Sequence, residues 1–288
     1  MPDIWEIAAI LAKLVLYIGV LGSVGLVIIR AVFGDLVSPL SDRIRLQATL
    51  LAGGALAAAV LAFMLRGAAL TGGADGMTDP EMLGLLWQTP VGDALVYRIS
   101  GTVLIILGLF IPRVGQWIAL AGGLIALWSF TQIGHVPALE VTGVRLLLLL
   151  HLLGIALWVG ILGPLHALSR RPEHLARAAT LGHRFGQAAS VIVPALILAG
   201  GAMAWMLLGD LRALATTGYG QALLIKLLLV GAVLTLAAAN KLRFVPAMQA
   251  GDAKAARHLA RSIEIETVVI LVVMAATATL TTVLTLPN

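Results

Sequence analysis

The sequence predicts an all-α, polytopic membrane protein, and three observations carry that expectation. The 288 residues are 60% hydrophobic and only 11% charged, against about 25% charged in soluble domains, and the mean hydropathy is +1.02. The apolar residues gather into eight runs of roughly 20 residues, the length a helix needs to cross the bilayer hydrocarbon. The runs are uniformly apolar, whereas membrane barrel strands are about 10 residues of alternating polarity, so the spans are helices.

The first span covers 7–29. It follows Met1-Pro-Asp3-Ile-Trp-Glu6, which is acidic where a signal peptide is basic, and is read as retained. Glu6 and Lys13 lie two turns apart on one helix face and are expected to share a network. The second span, 46–65, contains Gly53-Gly54, and the third, 93–111, is entered through Thr89-Pro-Val-Gly92 and carries Arg98. The fourth, 115–133, contains Gly122-Gly123 and ends on Gly134-His135-Val136-Pro137. The fifth, 143–165, holds Arg145, His151 and Trp158; the sixth, 186–208, holds Gly200-Gly201, Met203 and Met206. The seventh, 219–240, carries Lys226, and the eighth, 263–285, opens on Glu264 and Glu266. These two carboxylates suit a helix N-terminus and call for no function. The glycine pairs sit inside apolar helices, which predicts close helix packing and not phosphate loops.

Lys and Arg set the orientation. Thirteen lie in the loops after spans one, three, five and seven, and only Arg66 and Arg212 in the opposite loops. Both termini are therefore expected outside, in the periplasm of an inner-membrane protein. The outer loops carry Asp75, Asp79, Glu81, Glu140 and Asp210, a mildly acidic face that attracts cations. The pI near 10.1 reports this topology, and no nucleic-acid partner is expected; the bilayer is the main one.

Two segment pairs match internally. Tyr17-Ile-Gly19-Val-Leu-Gly22 resembles Trp158-Val-Gly160-Ile-Leu-Gly163, and Thr89-Pro-Val-Gly92-Asp-Ala-Leu-Val-Tyr-Arg98 resembles Thr217-Gly-Tyr-Gly220-Gln-Ala-Leu-Leu-Ile-Lys226. Both pairs relate a span to the fourth one after it. This predicts a parallel 4+4 duplication, with a first membrane half over 1–140 and a second over 141–288.

The chain has no cysteine, so soft-metal ligands must be His or Met. His151 stands in an otherwise apolar run, where an ionisable group is costly and marks function. His135 ends the preceding span, nearer the outer surface. Met203 and Met206 lie toward the outer end of span six, and thioether sulfur suits Cu(I). His166, His174, His183 and His258 read as solvated surface. Arg98 and Lys226 oppose a simple cation pore; Asp93, Glu140 or a bound anion would pair with them. No Walker loop or phosphorylated-Asp motif is present, so neither a primary pump nor an enzyme is expected.

Several of these segments resemble the CopD family of bacterial copper-resistance membrane proteins. They are His151-Leu-Leu-Gly-Ile-Ala-Leu-Trp158-Val-Gly160, Tyr219-Gly-Gln-Ala-Leu-Leu-Ile-Lys226, Asn240-Lys-Leu-Arg-Phe-Val-Pro246, Ser262-Ile-Glu-Ile-Glu266 and the Thr281-Thr282…Pro287 ending. Gly134-His135 resembles the close of the preceding family helix. The resemblance implies an eight-helix inner-membrane protein that handles copper, often received from a separate periplasmic copper-binding protein. The expected function is copper import, with His135 and His151 as first ligands, Met203 and Met206 as further ones, and Trp158, Arg98 and Lys226 shaping the path. The alternative is a membrane haem b or quinone electron carrier, with His axial ligands and the buried cations on the propionates.

Overall fold

The computed structural model describes residues 3–139 and 141–284. Glu140, offered above as an acidic outer residue and a partner for buried cations, lies outside them, as do Met1, Pro2 and the Pro287 end. Every regular element among the described residues is helical. The principal helices are α1 (Ile4–Val32), α2 (Ser41–Thr71), the short α3 (Pro80–Trp87), α4 (Pro90–Phe110), α5 (Gly115–Trp128), α6 (Val144–Ser169), α7 (Leu175–Leu208), α8 (Gly218–Ala239) and α9 (Ala253–Leu280). Among the described residues, seven are long and apolar enough to cross a membrane. The fourth expected span is a shorter apolar helix, Gly115–Thr131, whose last turn tightens to 3-10 geometry. The chain is a multi-pass membrane protein.

Local chemistry starts the helices. Asp3 and Glu6 form a capping box on α1, each side chain accepting the other's backbone N–H at 2.7 and 2.9 Å. That use takes Glu6 away from Lys13. Lys13 instead donates to the Thr281 carbonyl at 2.8 Å and to Thr282 Oγ1 at 3.3 Å, which correlates the two ends of the chain at one end of the bundle. Thr89 caps α4 and Thr217 caps α8, their hydroxyls accepting from Val91 and Gly220 backbone N–H. Each Thr hydroxyl also donates back, to the carbonyls of Leu86 and Ala213, at 2.7 Å in both cases. Gly92 and Gly220 have no side chain where Trp87 and Ala213-Leu214 fold back against them. The Thr-x-x-Gly match is thus a Thr cap with a close-packed glycine in both segments, in registers that differ by one residue: Thr89 takes the N–H two residues on and Thr217 the one three residues on.

The eighth helix begins earlier than hydropathy predicts. Asp252 caps it by accepting the Lys254 N–H at 2.7 Å. Arg257, His258 and Arg261 dilute the apolar signal over the first turns. Glu264 and Glu266 consequently lie well inside α9, not at its N-terminus.

α1 is the centre of the bundle, packed against α2, α5, α6 and α9, while α2 meets α4 and α4 meets α5. In the second half α6 packs against α7 and α9, and α8 against α9. α7 is met by the continuation of α8, a π-helical turn at Asn240–Phe244 followed by Val245–Gln249. Small residues make the tightest crossings. At the α1/α6 seam a Cβ on Gly25 would fall 2.8 Å from the Cα of Gly160. This crossing pairs Gly160 with Gly25, six residues beyond Gly19, its counterpart in the internal match. At the α4/α5 seam Gly101 and Gly122 meet in the same way. Gly53 and Gly54 differ from the expectation: nothing approaches within 4 Å of where their Cβ atoms would be. The α2 seam is made by Ala48, Ala52, Ala55 and Ala59, which turns the glycine pair away from the packed face. Outer faces expose Leu46 and Leu50, Leu146 and Leu150, Leu198, Leu228 and Val268, apolar surface suited to lipid.

At the basic end the halves are tied together. Arg184 pairs with the Asp35 carboxylate at 3.3 Å, and Arg177 donates to the Asp35 carbonyl and Ser38 Oγ.

Candidate functional site

His151 lies seven residues into α6, roughly 10 Å along the axis at 1.5 Å per residue. Its ring packs across the α6/α7 seam on Gly200, where an added Cβ would stand 3.3 Å from Cε1. Nδ1 is buried and makes no hydrogen bond of ordinary geometry, the Leu196 backbone of α7 being the polar group that faces the ring. Lys226 of α8 is the charged group whose field reaches it. An unpaired imidazole nitrogen inside an apolar bundle is an uncompensated cost and a free ligand position.

His135 lies nearer the end that carries both termini. Its Nε2 is 3.2 Å from the Leu280 carbonyl, and its ring meets Tyr219 edge-on with centroids 5.6 Å apart. Tyr219 and Lys226 are both on α8, seven residues and two turns apart. His135 therefore meets α8 at Tyr219, whereas His151, deeper in the bundle, meets α7 at Gly200. Among the described residues no three His, Cys, Asp or Glu side chains form a metal cluster.

The methionines divide. Met203 is buried, one turn beyond Gly200 on α7, whereas Met206 is 39% exposed. Arg145 is exposed in the first turn of α6.

Of the partners expected for Arg98 and Lys226, Asp93 does not take up the role. Arg98 is buried beneath the Phe130 ring, its guanidinium 5.4 Å from the centroid, and its Nε lacks a partner. Asp93 is exposed and forms no ion pair with Arg98 or Lys226 among the described residues. Arg98 and Lys226 stand at the same position in their helices, each eight residues after the first residue. Phe130 also packs on Tyr17, whose hydroxyl reaches Thr281 Oγ1 at 3.3 Å. Lys13, Tyr17, Arg98, His135 and Thr281 thus form one polar layer near the termini end.

A second polar centre lies deeper, and sequence reasoning missed it. Glu266 is 2% exposed. Its Oε1 accepts the Trp158 indole N–H at 2.6 Å, and its Oε2 accepts an Asn240 amide N–H at 3.0 Å. Trp158 is held by that carboxylate and does not stand free in a path. Asn240 opens the π-helical turn, a geometry that recurs at functional sites. The signal available was the Ser262-x-x-x-Glu266 spacing, which puts both on one helix face. Glu264, two residues earlier, faces outward and takes His166 at 2.9 Å and Arg170 at 3.1 Å. His166 is thereby a paired residue and not simple solvated surface.

Two family profiles match the chain. One, described as "Copper resistance protein D-like, N-terminal domain", matches residues 1–146. The other, described as "Copper resistance protein D", matches residues 179–280. No curated protein and no solved structure matches the chain.

Proposed function

The chain belongs to the copper resistance protein D family of copper-resistance membrane proteins, and from that premise we propose that it carries copper inward across the bacterial inner membrane along the face of α8. The buried, unpartnered Nδ1 of His151 carries this reading. Imidazole nitrogen is a copper ligand, and one left without a hydrogen bond in the bundle interior is available to a passing ion. His135 is the capture station near the termini end. Met203 offers a thioether to Cu(I) one turn from Gly200, on which His151 packs; Met206, though exposed, is kept as a ligand at the mouth.

The finer architecture belongs to the same proposal. Gly115–Thr131 completes an eighth crossing, and both termini face the periplasm. Residues 1–140 and 141–288 are parallel duplicates. The repeated Thr cap, the glycine that follows it and the equal positions of Arg98 and Lys226 support that duplication. A separate periplasmic copper-binding protein delivers the cargo. Trp158, Arg98 and Lys226 shape the path: Trp158 through Glu266, the two cations by limiting how long a positive ion rests beside them. The protein moves its cargo without chemical conversion.

The test is copper accumulation in cells expressing wild type or His151→Ala at matched levels. Loss of accumulation in the variant is the expected result, and wild-type accumulation in a His135→Ala/His151→Ala double variant removes the path. No contact favours a haem b or quinone carrier, since the two rings meet different helices, His135 on α8 at Tyr219 and His151 on α7 at Gly200. A Soret band in the purified protein would reinstate it.

A further inference from the structure

We propose that Glu266 is a proton-binding site, its carboxyl taking up and releasing one proton as copper moves. The coupling rests on the copper reading above; the proton site itself does not.

The carboxyl is enclosed among α6, α8 and α9 and is held by neutral groups alone. Among the described residues no charged group on the surrounding elements pairs with it: Arg145 on α6 and Arg257 and Arg261 on α9 are exposed, and the rest engage elsewhere or lie at a distance along their helices. On α6, His166 and Arg170 hold Glu264, and His151 lies seven residues from Trp158 against Gly200. On α8 and its continuation, Lys226 lies fourteen residues from Asn240, Lys241 bonds Ser190 and Arg243 stacks on Phe244. On α1, Lys13 is spent on Thr281 and Thr282. On α9 itself, Glu264 faces outward and His258 packs on Phe244. A carboxylate so placed has its desolvation offset only by two N–H donors. No fixed countercharge locks it in the ionised form.

The amide of Asn240 serves either state. As observed, Nδ2 donates to Oε2 while Oδ1 is buried without a partner. Amide O and N exchange places by a half-turn. Turned over, Oδ1 accepts from a protonated Oε2–H, and the Trp158 N–H stays on Oε1 throughout. Uptake adds one proton and one positive charge at Oε2, and no other covalent bond changes. The next unpartnered buried oxygen is Ser262 Oγ, one turn from Glu266 toward the basic end; Ser169 Oγ, the last residue of α6, is another. These hydroxyls can accept and donate, so the orphaned oxygens run from the carboxyl toward the basic face. A hard metal cation is disfavoured, because both carboxylate oxygens already take N–H donors.

Infrared difference spectra of the full-length purified protein test the site between about pH 5 and pH 8, a range that brackets ordinary physiological titration. Wild type is expected to show the carbonyl stretch of a protonated buried carboxyl that disappears as pH rises. Glu266→Gln abolishes the band, Trp158→Phe displaces it, and Glu264→Gln leaves it in place. A band that survives Glu266→Gln, or wild type with no such band at any pH, overturns the proposal. In sealed vesicles carrying a pH-sensitive dye, copper entry through wild type changes the internal pH, and Glu266→Gln loses that change. Copper entry without pH change, or entry that follows sodium instead of protons, overturns the coupling. Wild type that moves no copper overturns the transport reading, and the infrared titration still decides the proton site.

Discussion

Replacing His151 with leucine separates a metal ligand from a packing histidine by the sign of a stability change. The imidazole Nδ1 is buried and unpaired, and an unsatisfied buried polar group costs about 1–3 kcal/mol. Leucine is of similar bulk and brings no polar atom. The surface facing the ring is the bare Cα of Gly200, where an added Cβ would stand 3.3 Å from Cε1, so the ring is closely packed there and the leucine must fill the same volume. The metal-free variant should therefore gain about 1–3 kcal/mol, a factor of about 5 to 150 in the folded-to-unfolded ratio at 1.4 kcal/mol per decade. Copper accumulation should fall to the level of cells lacking the protein. The assay is reversible unfolding in mixed micelles with rising denaturing detergent, run beside copper content of expressing cells. A leucine variant less stable than wild type by about 1 kcal/mol or more would show that the ring is satisfied and structural. Normal copper accumulation in a well-folded variant would remove His151 from the path.

Three further outcomes are expected. Gly160→Ala drives a methyl into Gly25 and should destabilise by about 1–3 kcal/mol, while Gly53→Ala, in open space, should stabilise by about 0.5–1 kcal/mol; equal effects in the same unfolding assay contradict the seam. The chain has no cysteine, so single cysteines at Thr78 and Ala138 should react with an impermeant thiol reagent in intact cells and one at Lys254 should not; labelling at Lys254 inverts the orientation. Met203→Ala should lower copper accumulation measurably, and Met206→Ala, at an exposed position, should lower it less; the reverse order would place the path on the outer face of α7.

Hydropathy placed the long helices because span length is a one-dimensional signal, readable without knowing what packs on what. The same reading located His151, since an ionisable group in a leucine run stands out by composition alone. It failed where three segments distant in sequence converge. Trp158, Asn240 and Glu266 lie on α6, at the end of α8 and on α9, and only their packing shows that a carboxylate is being held. Hydropathy puts Glu266 at a helix start because Arg257, His258 and Arg261 hide the first turns of α9 from a hydropathy window. Spacing pairs Lys13 with Glu6, yet Asp3-x-x-Glu6 is itself a capping-box pattern, and the cap engages Glu6. The glycine pairs were misjudged in part because a sequence shows that a helix has small residues but not which side meets a neighbour.

The π-helical turn at Asn240–Phe244 changes what α8 can do as a single rod. One surplus residue in a turn shifts the rotational phase of everything beyond it by about 100°, the step per residue of an α-helix. The part that carries Tyr219 and Lys226 and the part that seats Val245 against Gly182 of α7 are therefore indexed to different sides of the same rod. Removing one residue from the turn would bring the two back into phase, and only one of the two surfaces would then be correctly addressed. The turn works as a gearing between the length of α8 that carries Tyr219 and Lys226 and its anchorage at the basic end, with Asn240 at the point where the phase changes.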